Sequence, residues 1–105
     1  MYQIIIHDNA KGELLELSEP MKGRMVVLIE KLKTFGPQLG MPHSKPLGGG
    51  LFELRTQGKD IARSIYVFQS GKRIFLLNAF IKKTQQTPAS ALATARKRLE
   101  EMLND

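Results

Sequence analysis

Residues 36–50, Gly-Pro-Gln-Leu-Gly-Met-Pro-His-Ser-Lys-Pro-Leu-Gly-Gly-Gly, hold three prolines and five glycines, and this stretch divides the chain. Proline fixes φ and removes a backbone donor, and glycine gives up the most conformational freedom on entering a helix or strand, so the sequence predicts an irregular loop here. A loop of this length inside a small domain is commonly functional. Helical periodicity precedes it and β-type runs follow it.

Upstream, Tyr2 to Ile6 reads as a short β-branched strand, and Asp8-Asn9 offers a cap for a helix with Ala10, Leu14 and Leu17 on one face. Ser18-Glu19-Pro20 ends that helix and opens another, because proline is tolerated in a first helical turn. Its stripe is Met21, Met25, Leu28, Ile29, Leu32 and Phe35, with Lys22, Lys31 and Lys33 pointing away. Downstream, residues 51–56, 61–68 and 73–81 are β-rich and separated by the hairpin-like Gln57-Gly58-Lys59-Asp60 and Gln69-Ser70-Gly71-Lys72. The last run is apolar on both faces, which places it in the sheet interior. Thr87 as cap and Pro88 as first residue open a final helix. Its stripe is Ala91, Leu92, Ala95, Leu99 and Met102, and Arg96–Glu100 and Lys97–Glu101 are i,i+4 pairs on its outer face.

The expected architecture is therefore an α/β fold of the α+β kind, a single domain over residues 1–105. An antiparallel sheet of the N-terminal strand and a three-stranded meander carries two N-terminal helices and one C-terminal helix, packed mainly on one face. A chain of this size buries roughly two-thirds of its unfolded surface, enough to dispense with staples. It has to, since there is no cysteine; disulfides, thiolate zinc sites and cysteine nucleophiles are excluded, as fits a reducing compartment. The N-terminus lacks the basic segment of a signal peptide, and the longest apolar stretch, residues 74–81 interrupted by Asn78, falls far short of the ~20 residues that span a bilayer. A soluble, cytoplasmic protein is expected.

Charge is unevenly placed. Eleven of the sixteen Lys and Arg lie between Lys45 and Arg98, against two of the ten acids, so this segment carries the whole excess of the +6 chain. Such a balance suits a polyanionic partner, although solvated surface charge is the plainer alternative. Metal hydrolysis is disfavoured because His7 and His43 are far apart and no His/Asp/Glu cluster has ligand spacing. Gly48-Gly49-Gly50 precedes a strand and lacks the Lys-Ser/Thr of a phosphate loop, and no serine sits in a nucleophile elbow. Cationic chemistry remains. RNA supplies its own nucleophile in the ribose 2′-OH, so an enzyme that cuts it mainly has to stabilise the charge of the phosphorane. Arg55 shares a strand face with Glu53, and Arg63 begins the next strand, so a hairpin brings them together; pairing with Glu53 is the competing account.

The segments Gly50-Leu51-Phe52-Glu53-Leu54-Arg55, Arg63-Ser64-Ile65-Tyr66 and Phe80-Ile81-Lys82-Lys83-Thr84-Gln85-Gln86-Thr87-Pro88 resemble the phage-derived HigB-type branch of the RelE toxin superfamily. The likeness extends through Pro42-His43-Ser44-Lys45-Pro46-Leu47 and Ala95-Arg96-Lys97-Arg98-Leu99, covering nearly the whole chain. It implies a cofactor-free toxin that cleaves mRNA in the ribosomal A site and is neutralised by an antitoxin with a helix-turn-helix DNA-binding domain. Arg55 and Arg63 resemble the strand-borne groups that handle the scissile phosphate, and Lys82 or Lys83 the one after the last strand. Lys45, Gln85 and Gln86 are candidates for RNA contact. Several superfamily members carry a Tyr or His near the leaving group in the C-terminal segment; nothing after Tyr66 is either, so the general acid is unassigned. Glu53 is a candidate base, with the salt-bridge role ahead of it. Tyr66 and Phe68 are placed in the core rather than under a base, and His43 as an ordinary loop histidine. A non-catalytic basic module that binds nucleic acid or an antitoxin is the alternative.

Overall fold

In the computed structural model, which describes residues 1–58, 61–83 and 86–104, the doubly apolar run after Gly71 supplies an inner strand of a six-stranded sheet. The elements are β1 (Gln3–Ile6), α1 (Asp8–Glu16), α2 (Glu19–Phe35), a 3-10 turn (Gly36–Gln38), β2 (Ser44–Gly48), β3 (Leu51–Arg55), β4 (Ala62–Gln69), β5 (Arg73–Leu76), β6 (Phe80–Ile81) and α3 (Ala89–Leu103). Their order across the sheet is β1-β5-β4-β3-β2, with β6 also on β4. The meander β2 to β5 is antiparallel, whereas β1 lies parallel to β5, Ile4 opposite Ile74, so the sheet is mixed. The connection between them runs through both helices and strands β2 to β4, as a parallel pair cannot be joined by a hairpin.

The residue 36–50 stretch is not wholly irregular as its composition suggests. Ser44 to Gly48 forms edge strand β2, with Pro46 opposite Phe52 and a register slip before Gly48. An edge strand has a side with no neighbour to receive a donor, which is where proline is tolerated. Gly48, Gly49 and Gly50 all have positive φ (94°, 61°, 84°) and turn the chain into β3. The 73–81 run also divides. After Leu76 the chain steps out of the ladder, and the Asn78 side-chain oxygen accepts the Ile65 N–H at 3.0 Å in place of a backbone carbonyl. β6 then rejoins β4 opposite Ala62 and Arg63.

Strand alternation sorts the core into two layers. Leu54, Tyr66, Ile74 and Leu76 pack against Ala10 and Leu17 of the α1 segment and Met21, Met25, Leu28 and Leu32 of α2. On the other face Leu51, Ile65, Val67, Phe75 and Leu77 meet Ala95, flanked by Ala91, Leu92, Leu99 and Met102 of α3. The helices therefore cover both faces rather than mainly one; a central strand apolar on both sides leaves a second face that also has to leave water. Phe35, expected in the α2 stripe, is exposed instead. There the helix stops at Gly36, whose backbone passes so close to the Tyr2 ring that a Cβ would collide with it. α1 is capped by His7, whose Nδ1 accepts from Asn9 N–H, not by Asp8 or Asn9. Among the described residues no helix is long and apolar enough to cross a membrane.

Candidate functional site

Odd-numbered positions of β3 and β4 face α3, but α3 covers only part of that face, and beyond its start lie Glu53, Arg55 and Arg63. The register sets Arg55 opposite Arg63 and Glu53 between Lys45 on β2 and Ile65 on β4. Two guanidinium groups opposed on adjacent strands repel, so something has to hold them. Glu53, with 0% of its side chain exposed, does so. Its Oε1 is 3.5 Å from Arg63 Nε, 3.7 Å from Lys82 Nζ and 3.9 Å from Arg55 Nε. The Thr87 hydroxyl donates to Oε2 at 2.7 Å. Burying a carboxylate without compensating charge is costly, and here three cations surround Glu53.

The cluster is ordered but not fully bonded. Arg63 Nη1 donates to the Thr56 and Ala62 carbonyls, each at 3.0 Å. Glu53 Oε1, Arg55 Nε and Arg63 Nε, all buried, lack hydrogen-bond partners, because the ion-pair separations exceed hydrogen-bond length. Burial draws the Arg63 guanidinium below its ordinary pKa; the Glu53 charge opposes the shift and the Arg55 charge adds to it. Guanidinium starts so high that Arg63 remains a cation at neutral pH. Arg55 is the accessible member, with 22% of its side chain exposed against 5% for Arg63 and 4% for Lys82. The arrangement offers fixed positive charge, with the Arg55 side chain as the member partly open to solvent, the equipment for holding an anionic oxygen.

Four of the sequence candidates, Arg55, Arg63, Lys82 and Glu53, thus come together. Glu53 meets the arginines as a partner, and its oxygens are occupied by cations and a hydroxyl rather than open to solvent. Lys45 is exposed on the adjoining edge strand, Lys83 is exposed after β6, and Gln86 is exposed before α3. Gln85 lies outside the described residues. Tyr66 and Phe68 pack with Phe52 at 5.3–5.6 Å between ring centroids, and burial raises the Tyr66 phenol pKa against a hydrogen bond with Ser44 that lowers it.

Thr87 has the sequence position of a helix cap, but α3 starts two residues later without a side-chain cap, and the Thr87 hydroxyl serves Glu53. Arg24 and His43 also gather here, lining a groove with Arg55. No local signal marks Arg24, a helical residue from the less basic part of the chain. Part of the positive charge is structural. Arg98 forms a bidentate pair with Glu13 at 2.7 and 2.9 Å and donates to the Leu77 carbonyl. Burial acts to raise the Glu13 carboxyl pKa, but the Arg98 bonds and the Ala79 N–H outweigh it and hold the group below its ordinary value. Glu101 lies 2.9 Å from His7.

The family model described as phage-derived protein Gp49-like matches residues 12–100. A search of curated proteins gave no match. Among solved structures, a double arginine-to-alanine variant of the Escherichia coli toxin RelE in the free state superposes with a TM-score of 0.71 at 12% identity, over 93% of this chain and 97% of that one. The Mycobacterium tuberculosis toxin–antitoxin complex RelBE2 gives 0.59 at 19% identity, over 77% and 98%. The archaeal RelE–RelB complex of Pyrococcus horikoshii gives 0.58 at 21%, over 78% and 96%. These similarities identify the α+β architecture with mixed sheet as RelE-like.

Proposed function

This chain belongs to the phage-derived Gp49-like family, and on that premise we propose that it is the toxin of a type II toxin–antitoxin pair, a HigB-like endoribonuclease that cuts mRNA on the ribosome. The observation that carries this reading is the convergence of Arg55, Arg63 and Lys82 about one buried carboxylate, with the Arg55 side chain partly open to solvent. In the proposed reaction the 2′-hydroxyl gives its proton to solvent water as its oxygen attacks the adjacent phosphorus, the bond to the 5′-oxygen breaks and that oxygen takes a proton from water, giving a 2′,3′-cyclic phosphate and a 5′-hydroxyl end. Negative charge grows on the non-bridging oxygens, where preorganised guanidinium and ammonium groups stabilise it more than they stabilise the ground state. Glu53 acts as spacer of the cations. No metal enters the proposal. A helix-turn-helix antitoxin as partner, the ribosome as site of action and a cytoplasmic location belong to the same reading; two of the RelE-like structures are complexes with an antitoxin.

The test is single-turnover cleavage of ribosome-bound mRNA. Arg55→Ala is expected to slow the saturated rate by about a hundredfold or more, as loss of one preorganised donor does. Arg63→Lys should also stay impaired, because an ammonium cannot reproduce the planar fork. One feature favours a second reading, a basic module that binds without cutting: Arg63 and Lys82 are closed around Glu53. Under that reading Arg55→Ala weakens binding and its salt dependence while the saturated rate is unchanged, a result that would overturn the nuclease.

A further inference from the structure

Beside the cation cluster, where α2 passes the end of β3, lies an open groove of about 300 Å³. Val27 and Leu28 of α2 line it together with Arg24, His43, Gln57 and Arg55. We propose that this groove holds the nucleobase of the nucleotide whose phosphate rests on Arg55, and so selects which base is accepted; the inference rests on the RNA-binding reading above.

Three observations carry it. Val27 is a β-branched residue left 55% exposed beside cations, and an apolar wall flanked by positive charge matches a nucleotide, which joins a flat apolar face to an anion. Arg55 belongs both to the groove and to the Glu53 cluster, and is the cluster's partly exposed cation, so base and phosphate sites are separated by a single side chain. The remaining polar groups are those that read base edges. The Gln57 amide is anchored by donation to the Pro42 carbonyl at 3.3 Å. The Arg24 guanidinium lies against the β3–β4 turn, its Nη1 3.3 Å from where a Cβ on Gly58 would stand. Amide, imidazole and guanidinium together present the donors and acceptors that discrimination among bases requires, the amide held in place by its bond to Pro42.

The experiment titrates isotopically labelled full-length protein with ribose 5-phosphate and with the four ribonucleoside 3′-monophosphates, following the Val27 and Leu28 methyl signals by NMR. At least one nucleotide is expected to bind about tenfold tighter than ribose 5-phosphate and to shift those methyls. Val27→Gln, at an exposed helical position, should reduce the nucleotides to the affinity of ribose 5-phosphate, and Gln57→Ala should change their ranking. Equal affinity of all five probes, unaltered in Val27→Gln, would overturn the groove and leave the phosphate cluster standing. Failure of every phosphate-bearing probe to bind near Arg55 would overturn both the groove and the reading on which it rests.

Discussion

Replacing Glu53 by glutamine keeps the volume of the buried side chain and deletes its charge. Oε2 receives the Thr87 hydroxyl, a bond an amide oxygen can still accept, so the change falls on the Oε1 side, where three cations lie within 3.9 Å. At an effective dielectric near 20 each such pair corresponds to about 4 kcal/mol of attraction. The net loss is smaller, because Arg55 can swing into solvent. Arg63 and Lys82 cannot do so without opening the sheet end, and stranding a buried partner destabilises by about 3–5 kcal/mol. For a domain of this size that lowers Tm by on the order of 10 °C or more. Urea and thermal unfolding at pH 7 measure the loss, and a double-mutant cycle with Arg63→Met isolates the pair; coupling of about 2 kcal/mol is expected. Inorganic phosphate should raise the Tm of Glu53→Gln more than that of the wild type, since it binds cations that have lost their partner. A variant within about 0.5 kcal/mol of wild type, or an additive cycle, would refute the organising role of this carboxylate.

Two further outcomes follow from the remaining polar contacts. Glu13 has its folded pKa held below the unfolded value, so its contribution is present above the ordinary carboxylate range and is lost as pH falls through the folded pKa; Glu13→Gln should lower stability by about 1 kcal/mol at pH 7, a figure discounted for its partial exposure, and flatten the acid limb of the stability–pH curve. An unchanged acid limb would remove the Arg98 pair from the balance. Tyr66→Phe leaves the buried Ser44 hydroxyl without its partner and should destabilise by about 1–2 kcal/mol, with Ser44→Ala added to it costing less than the separate sum. Urea midpoints of the four proteins decide this.

Periodicity along the chain is a local property, and what depends on it was legible from the residues. Met21, Met25, Leu28 and Leu32 recur at helical spacing and are buried; so is Ala95, while the rest of the α3 stripe packs against the second core. The alternation of Glu53 with Arg55 and the short link to β4 were enough to bring two arginines together. Contacts between distant segments were not legible, because local grammar names the nearest partner and tertiary packing supplies a different one. Thr87 has the position of a cap, yet its hydroxyl reaches Glu53, thirty-four residues away. Glu101 fits an i,i+4 pair with Lys97 but faces His7. Pro46 reads as a strand breaker, and only its place at a sheet edge, with no outer neighbour demanding its missing N–H, lets β2 form. Arg24 carries no signal of its own until α2 is laid across the end of β3. Spacing over a few residues is enough to specify the helices, strands β3 to β5 and the cations they carry. Which carboxylate gathers those cations, on which faces the helices lie and where the groove opens depend on register and on surfaces buried between segments far apart in the chain, so they emerge only when the elements pack together.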